Sequence, residues 1–312
     1  MTGTGPTPQE SIAAPHPDEA ALPPPAFPTP EVRLLRGVPY AEPEGTRPPE
    51  LDLWLPGRPN EPAPLVLFLH GGAWQRGRRD DMGVHTRRWS PGPFARIAAA
   101  GFAVACVDYR LSGEATFPAQ LDDLRCALRW LGLRSAQLGV DTARTVAWGE
   151  SAGGHLAALL ALTHADPPLA GAVVWYGPSD LGTAREGYSP HDPRTPEARL
   201  LGSAPAADPE RARAASPVAH VHAGAPPFLL VHGEQDTVVA CSHSTELAAS
   251  LEASGARAEL RTVPDTEHVW LGASAAVVDD IFEHSLGFAE RLVFGTSPRE
   301  AAHRPPRSTT EP

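Results

Sequence analysis

The sequence predicts an α/β domain built on a mostly parallel sheet with helices on both faces. Three observations carry that prediction. Short apolar runs alternate with helically spaced segments through the middle of the 312 residues, the rhythm of strands joined by crossover helices. A Gly-x-Ser-x-Gly stretch, Gly149-Glu150-Ser151-Ala152-Gly153, stands between one such run and one such helix. Apolar residues make up 42% of the chain, enough to fill a sizeable core.

The elements follow in chain order. Residues 1–30 are rich in Pro, Thr and Ala and read as a disordered arm. The arm has no basic start and no apolar core, so it is no secretory signal. Leu51-Asp52-Leu53-Trp54-Leu55 alternates with period two and predicts a half-exposed strand. Leu65 to Leu69 and Phe102 to Val107 are continuous apolar runs and predict buried strands. Between Phe117 and Leu133, Leu121, Leu124, Leu128 and Leu131 share one helical face. Arg144 to Trp148 predicts a strand, and Ala152 to Thr163 a helix of small residues able to pack close to the sheet. Ala170 to Tyr176, Phe228 to Val231 and Leu260 to Val263 predict the remaining strands. Helices are predicted over Ser244 to Leu251 and Ser274 to Leu292, each opening on a serine suited to cap it. Residues 180–216 break the rhythm with Pro, Arg, Glu and Ala. They read either as a cap over the site or as an ordinary surface excursion. The domain is expected over residues 31–295, with a flexible tail at 296–312.

Four pieces of this chain can be assembled into one chemistry. Ser151 sits where a strand turns sharply into a helix, which exposes its hydroxyl as a nucleophile. The competing reading is a structural serine, since a five-residue pattern also arises by chance. His70-Gly71-Gly72-Ala73-Trp74 follows the Leu65–Leu69 strand, and its uncovered N–H groups, with that of Ala152, suit a developing oxyanion. Alone it would be an ordinary tight turn. Asp236 follows another buried strand and can orient a histidine; Glu234 is its local competitor, and Asp141, Asp180 and Asp265 are more remote ones. His268 lies in a loop between the last strand and the last helix. Of thirteen histidines it alone has that placement; His232 reads as a turn residue, His243 and His284 as surface or packing residues, and His155 as inward-facing. The order Ser, Asp, His is that of an α/β-hydrolase triad.

At family level the chain resembles α/β-hydrolase carboxylesterases. It is most similar to bifunctional feruloyl/acetyl-xylan esterase-like proteins, with hormone-sensitive-lipase-like esterases next. The resemblance runs from about Val38 to Leu292 and rests on many motifs in order. Among them are Val38-Pro39-Tyr40, the His70 stretch, Asp108-Tyr109-Arg110-Leu111-Ser112 and Phe117-Pro118-Ala119-Gln120-Leu121-Asp122-Asp123. The elbow, Ser216-Pro217-Val218, Pro226 to Gly233 and the His268 loop complete it. It implies the α/β-hydrolase fold with a small cap insertion. It implies Ser151, Asp236 and His268 as triad and Gly71, Gly72 and Ala152 as oxyanion donors. One departure is Ala73, where hormone-sensitive-lipase relatives usually carry a third glycine; its N–H remains.

The function expected is therefore hydrolysis of small to medium carboxylic esters through an acyl-enzyme, with no cofactor and no metal. Trp74 and Trp270 are expected to wall the substrate pocket, with Trp175 and Tyr176 nearby. Rival readings on the same groups are an arylformamidase or amidase, and an acyltransferase or biosynthetic thioester hydrolase. A non-catalytic binding protein is a further one, though such proteins usually lose part of the triad. A net charge of −11 argues against nucleic acid and anionic membranes as partners. All 26 basic residues are arginine, which excludes Schiff-base, P-loop and Ser-Lys chemistry. Cys106, Cys126 and Cys241 lack metal-ligand spacing and read as buried thiols of a cytoplasmic protein. No apolar run reaches membrane-spanning length. Oligomeric state is left open.

Overall fold

The computed structural model describes residues 15–57, 61–164 and 167–295. Among the described residues nine strands form one sheet: β1 (Ala26–Thr29), β2 (Val32–Pro39), β3 (Glu50–Pro56), β4 (Ala63–Leu69), β5 (Ala103–Val107), β6 (Val140–Glu150), β7 (Gly171–Trp175), β8 (Phe228–Gly233) and β9 (Ala258–Val263). Their order is β1-β2-β3-β5-β4-β6-β7-β8-β9. The β1–β2, β2–β3 and β3–β5 pairs are antiparallel. The rest of the sheet, from β5 across to β9, is parallel.

The parallel strands are continuous apolar runs because both faces of the sheet are covered. Eight α-helices accompany them: α1 (Pro93–Ala99), α2 (Ala119–Leu133), α3 (Ser135–Leu138), α4 (Ala152–Thr163), α5 (Pro196–Leu201), α6 (Pro209–Ala214), α7 (Ser242–Ala253) and α8 (Ala275–Phe294). Leu121, Leu124, Leu156, Leu160, Leu247 and Leu251 bring α2, α4 and α7 onto one face. Phe94, Ile97, Val278, Ile281 and Phe282 bring α1 and α8 onto the other. None of the helices among the described residues is long and apolar enough to cross a membrane.

The chain runs from β4 outward to β5 and from β6 the opposite way to β7. The strand order therefore reverses between β4 and β6, and a crevice opens past their carboxyl ends. The His70–Trp74 loop leaves β4 at that edge, and Ser151 leaves β6 beside it.

Several expectations need correction. The predicted arm is structured from Pro15: β1 pairs with β2, Trp130 Nε1 donates to Pro17 O (2.9 Å), and Arg134 donates to Asp18 O (3.0 Å). A buried indole and a guanidinium pull this Pro-rich segment onto α2, something composition alone does not reveal. Residues 1–14 and the expected tail at 296–312 lie outside the described residues. β3 is mostly buried rather than half-exposed, because β1 and β2 extend the sheet beyond it. Its Asp52 is satisfied by Arg79 Nε at 2.8 Å. Helix α7 begins at Ser242, ahead of the predicted cap Ser244, which is buried instead. Ser274 does cap α8, accepting from Val277 N–H. Residues 180–216 carry α5 and α6 and no named strand.

Candidate active site

Two close approaches explain the small residues around Ser151. A Cβ on Gly149 would fall inside contact distance of Gly153 O, and one on Gly153 would strike Leu69 O. Only glycine lets β6, α4 and β4 come this close. Between them Ser151 takes φ 51 and ψ −120, a conformation side-chain-bearing residues rarely adopt. The neighbouring backbone holds it there: Ser151 N–H donates to Trp175 O (2.9 Å), and Ser151 O accepts from His155 N–H (2.9 Å). The strain lifts the hydroxyl out of the strand at the head of α4.

Ser151 Oγ lies 3.0 Å from His268 Nε2, and His268 Nδ1 lies 2.7 Å from Asp236 Oδ2. The other carboxylate oxygen, Oδ1, accepts the N–H groups of Val238 (2.9 Å) and Val239 (2.7 Å). Burial pushes the Asp236 carboxyl upward. Hydrogen bonds from His232 and His268, the His268 charge and the Val239 N–H outweigh it, and the group sits well below the usual carboxylate range. It is therefore ionised whenever His268 needs a counter-charge. The His268 loop is pinned by Glu267, which accepts from His268 N–H (2.8 Å) and from Thr237 Oγ (2.6 Å), next to the acid.

The three residues come from the chain just after β6, β8 and β9, and the structure brings them together. Glu234 turns away to accept from Thr262 Oγ. Asp141 pairs with Arg144 and Asp180 with Arg185. His155 faces inward, and His284 pairs with Glu259 at 2.6 Å.

Gly71 and Gly72 lie opposite the head of α4. A Cβ on Gly71 would sit 3.4 Å from Ser151 Cβ, so the loop is in contact with the elbow. Gly72 has φ 113, and Ala73 and Trp74 follow with φ 56 each, so the backbone curls back on itself. His70 anchors the curl: Nδ1–H donates to Gly71 O (2.7 Å), the ring stacks on Tyr109 at 4.4 Å, and burial keeps it neutral. Ala152 opens α4, and its N–H has no carbonyl inside the helix to reach. The glycine loop and the head of α4 thus flank Ser151 from two sides.

Neither predicted pocket tryptophan lines this space. Trp74 is buried, with Nε1 donating to His155 Nδ1 at 3.2 Å, because the left-handed curl turns its ring beneath α4. Trp270 is buried against Trp175 (5.5 Å between rings) and Tyr176 (4.6 Å). The cleft nearest the elbow, about 330 Å³, is lined by Gly71, Gly72, Glu150 and Val269, neighbours of the triad rather than the triad itself, together with Arg76, Arg78 and Arg87. No lining residue comes from 180–216. That segment is tied to residues around the elbow: His155 Nε2–H donates to Ala215 O (2.6 Å), and Arg199 donates to Gln75 (2.6 Å).

Glu150 and His232 stand at the site without having been singled out as functional, beside Tyr176, which was expected near the pocket. Glu150 accepts from Tyr176 OH (2.7 Å) and, more loosely, from Gly71 N–H (3.4 Å); the Tyr176 ring packs on His268 at 4.8 Å. Their only sequence signal is adjacency, Glu150 to the nucleophile and Tyr176 to a strand end. Burial holds the Glu150 carboxyl above its ordinary range. A carboxyl raised by folding favours the protein when protonated, and that contribution is lost as pH climbs past the unfolded value. Glu150→Gln should therefore gain melting temperature relative to the parent as pH rises from acid to mildly alkaline; a constant difference across that window would contradict this. Among the described residues no group of three or more His, Cys, Asp or Glu has the geometry to hold a metal.

Residues 51–251 match the BD-FAE family model. Esterase LipQ of Mycobacterium tuberculosis (strain ATCC 25618 / H37Rv) is 31% identical over 253 residues, covering 75% of this chain and 56% of the relative. Carboxylesterase NlhH of the same strain is 41% identical over 118 residues, 36% of this chain and 34% of the relative. This chain spans about half the length of the curated relatives that it matches first. Among solved structures, a bacterial heroin esterase superposes with a TM-score of 0.69 at 29% identity, covering 84% of this chain and 85% of that one. A truncated carbohydrate esterase from gut microbiota gives a TM-score of 0.69 at 25% identity, covering 81% and 96%.

Proposed function

The chain belongs to the BD-FAE family of α/β-hydrolases, and on that footing we propose that it is a serine carboxylic-ester hydrolase. The observation that carries the reading is the unbroken line Ser151 Oγ to His268 Nε2 (3.0 Å) and His268 Nδ1 to Asp236 Oδ2 (2.7 Å), beside a glycine loop. Esterase relatives and esterase structures support it.

In the proposed reaction His268 Nε2 takes the Ser151 proton as Oγ attacks the ester carbonyl carbon. The carbonyl π electrons move onto oxygen, which is received by the N–H groups of Gly71 or Gly72 and of Ala152. Asp236 keeps the Nδ1 proton in place and balances the imidazolium. The intermediate collapses by expelling the alkoxide, which takes the proton from His268. Water, deprotonated in turn by His268, then cleaves the acyl-Ser151 ester and restores the hydroxyl. The reaction needs no redox partner.

The substrates proposed are small to medium acyl esters, since a cleft of about 330 Å³ lies at the small end of ligand sites. The test is a p-nitrophenyl series of acetate, butyrate, octanoate and palmitate. Acetate and butyrate should reach the highest kcat/KM, and octanoate and palmitate should not exceed it, each methylene beyond the cleft adding nothing to transition-state binding. Turnover of palmitate alone would contradict the size argument, and no turnover of any member would contradict the reading. A reducing compartment such as the cytoplasm is supported by the free thiols of Cys106, Cys126 and Cys241.

A further inference from the structure

Asp236 is held by two histidines. His232, on β8, is fully buried, and its Nε2 faces two acceptors: Val239 O at 2.8 Å and Asp236 Oδ2 at 3.3 Å. A nitrogen between two acceptors carries the proton. The opposite nitrogen, Nδ1, is then an acceptor, and Ser244 Oγ stands 2.7 Å from it to donate. This accounts for Ser244, the serine that was expected to cap α7 and is instead buried inside it. A chain of polar contacts therefore runs from Ser244 Oγ–H to His232, whose Nε2–H is shared between Val239 O and Asp236 Oδ2, and from Asp236 through His268 to Ser151.

We propose that His232 is a positioning residue for the hydrolytic reaction: its Nε2–H, fixed in that tautomer by Ser244, holds Asp236 Oδ2 and tempers its pull on His268. The inference rests on the triad reading above. Its physical content lies in the shared oxygen. Oδ2 takes the His268 donor at 2.7 Å and the minor share of the His232 one at 3.3 Å, while Oδ1 is occupied by the N–H groups of Val238 and Val239. Every donor on the carboxylate disperses its charge. The charge left over sets how strongly the His268 imidazolium is stabilised. Without His232 the carboxylate would pull harder on the His268 proton and be freer to swing. Val239 O takes the larger share of the His232 Nε2 proton at 2.8 Å and Asp236 Oδ2 the smaller share at 3.3 Å, so the ring's orientation and its effect on the acid are one arrangement.

Other groups facing these rings would be unchanged by substitution at residue 232. Around His268 these are Asp236, Ser151, the Tyr176 ring, Glu150 and the Glu267 carboxylate on its own N–H. Around His232 they are Asp236, Ser244 and, from α7, His243, which burial keeps neutral.

The experiment measures the pH profile of kcat/KM for a p-nitrophenyl ester in the parent and in His232→Leu, His232→Gln and Ser244→Ala. The acid limb reports the group that must be unprotonated, assigned here to His268. The leucine variant should lose about tenfold in kcat with KM nearly unchanged, and its acid limb should move to higher pH by about half a unit. Glutamine, whose amide can still donate to Oδ2 and accept from Ser244, should recover most of both. Ser244→Ala should move the limb in the same direction by less. A folded leucine variant whose limb stays put or moves to lower pH would overturn the proposal, as would a glutamine variant no better than leucine. If the leucine variant does not fold, Ser244→Ala decides: a rise of the limb supports the proposal and an unmoved limb overturns it. Parent activity that vanishes in Ser151→Ala while the limb ignores residue 232 would sink this inference and leave the hydrolase reading standing.

Discussion

Ser151→Ala is expected to reduce kcat on p-nitrophenyl acetate by about 10⁴- to 10⁶-fold, down to what oxyanion binding and proximity alone supply. The size of the effect follows from the role proposed for Oγ, which forms the covalent bond on which the second step acts. The loss should come without unfolding. The unusual φ 51 of residue 151 is imposed by its neighbours, and the two hydrogen bonds that hold it use its backbone N–H and O. Alanine pays no greater backbone penalty there than serine does. Circular dichroism and the melting temperature should therefore match the parent. Residual turnover above about one per cent of the parent would not be compatible with an acyl-Ser151 intermediate.

Asp236→Asn should cost about 10⁴ in kcat, with the fold again retained. The geometry dictates why an isosteric change is so costly. Oδ1 accepts two backbone N–H groups, from Val238 and Val239. An asparagine would keep its carbonyl oxygen there and turn its NH₂ toward His268 Nδ1 and His232 Nε2. Facing a donor, His268 would carry its proton on Nε2 and could not accept one from Ser151. The same carboxylate has a consequence for stability. A carboxyl depressed by folding stabilises the protein above its unfolded value, and that stabilisation is lost as pH falls toward the folded value. The parent should thus lose melting temperature more steeply below about pH 4 than Asp236→Asn. Rates across neutral pH and melting curves in acid check the two halves separately.

What could be read from the sequence was whatever depends on local pattern. Apolar runs such as Leu65–Leu69 are strands because both sheet faces are covered. The Ala152–Thr163 helix was placed by its small residues. Ser151, Asp236 and His268 each follow a strand at one edge of the sheet, so chain order and topology place them near one another. What depends on side-chain direction was not legible. Trp74 and Trp270 flank the site in sequence, yet positive φ at both turns their rings into the core. His232 looked like a turn residue because its partner Ser244 lies twelve positions away on α7. The Pro-rich segment before β2 carries no periodic signal, and its order comes from long-range bonds to Trp130 and Arg134.

The central claim is that Ser151 is the nucleophile, activated by its own surroundings. The direct measurement is covalent labelling with a fluorophosphonate followed by mass spectrometry of the digested protein. The account predicts one adduct per chain, on the peptide containing Ser151, forming in step with loss of activity and absent from His268→Ala. An adduct on another residue, or full ester turnover in a protein left unlabelled at Ser151, would contradict it.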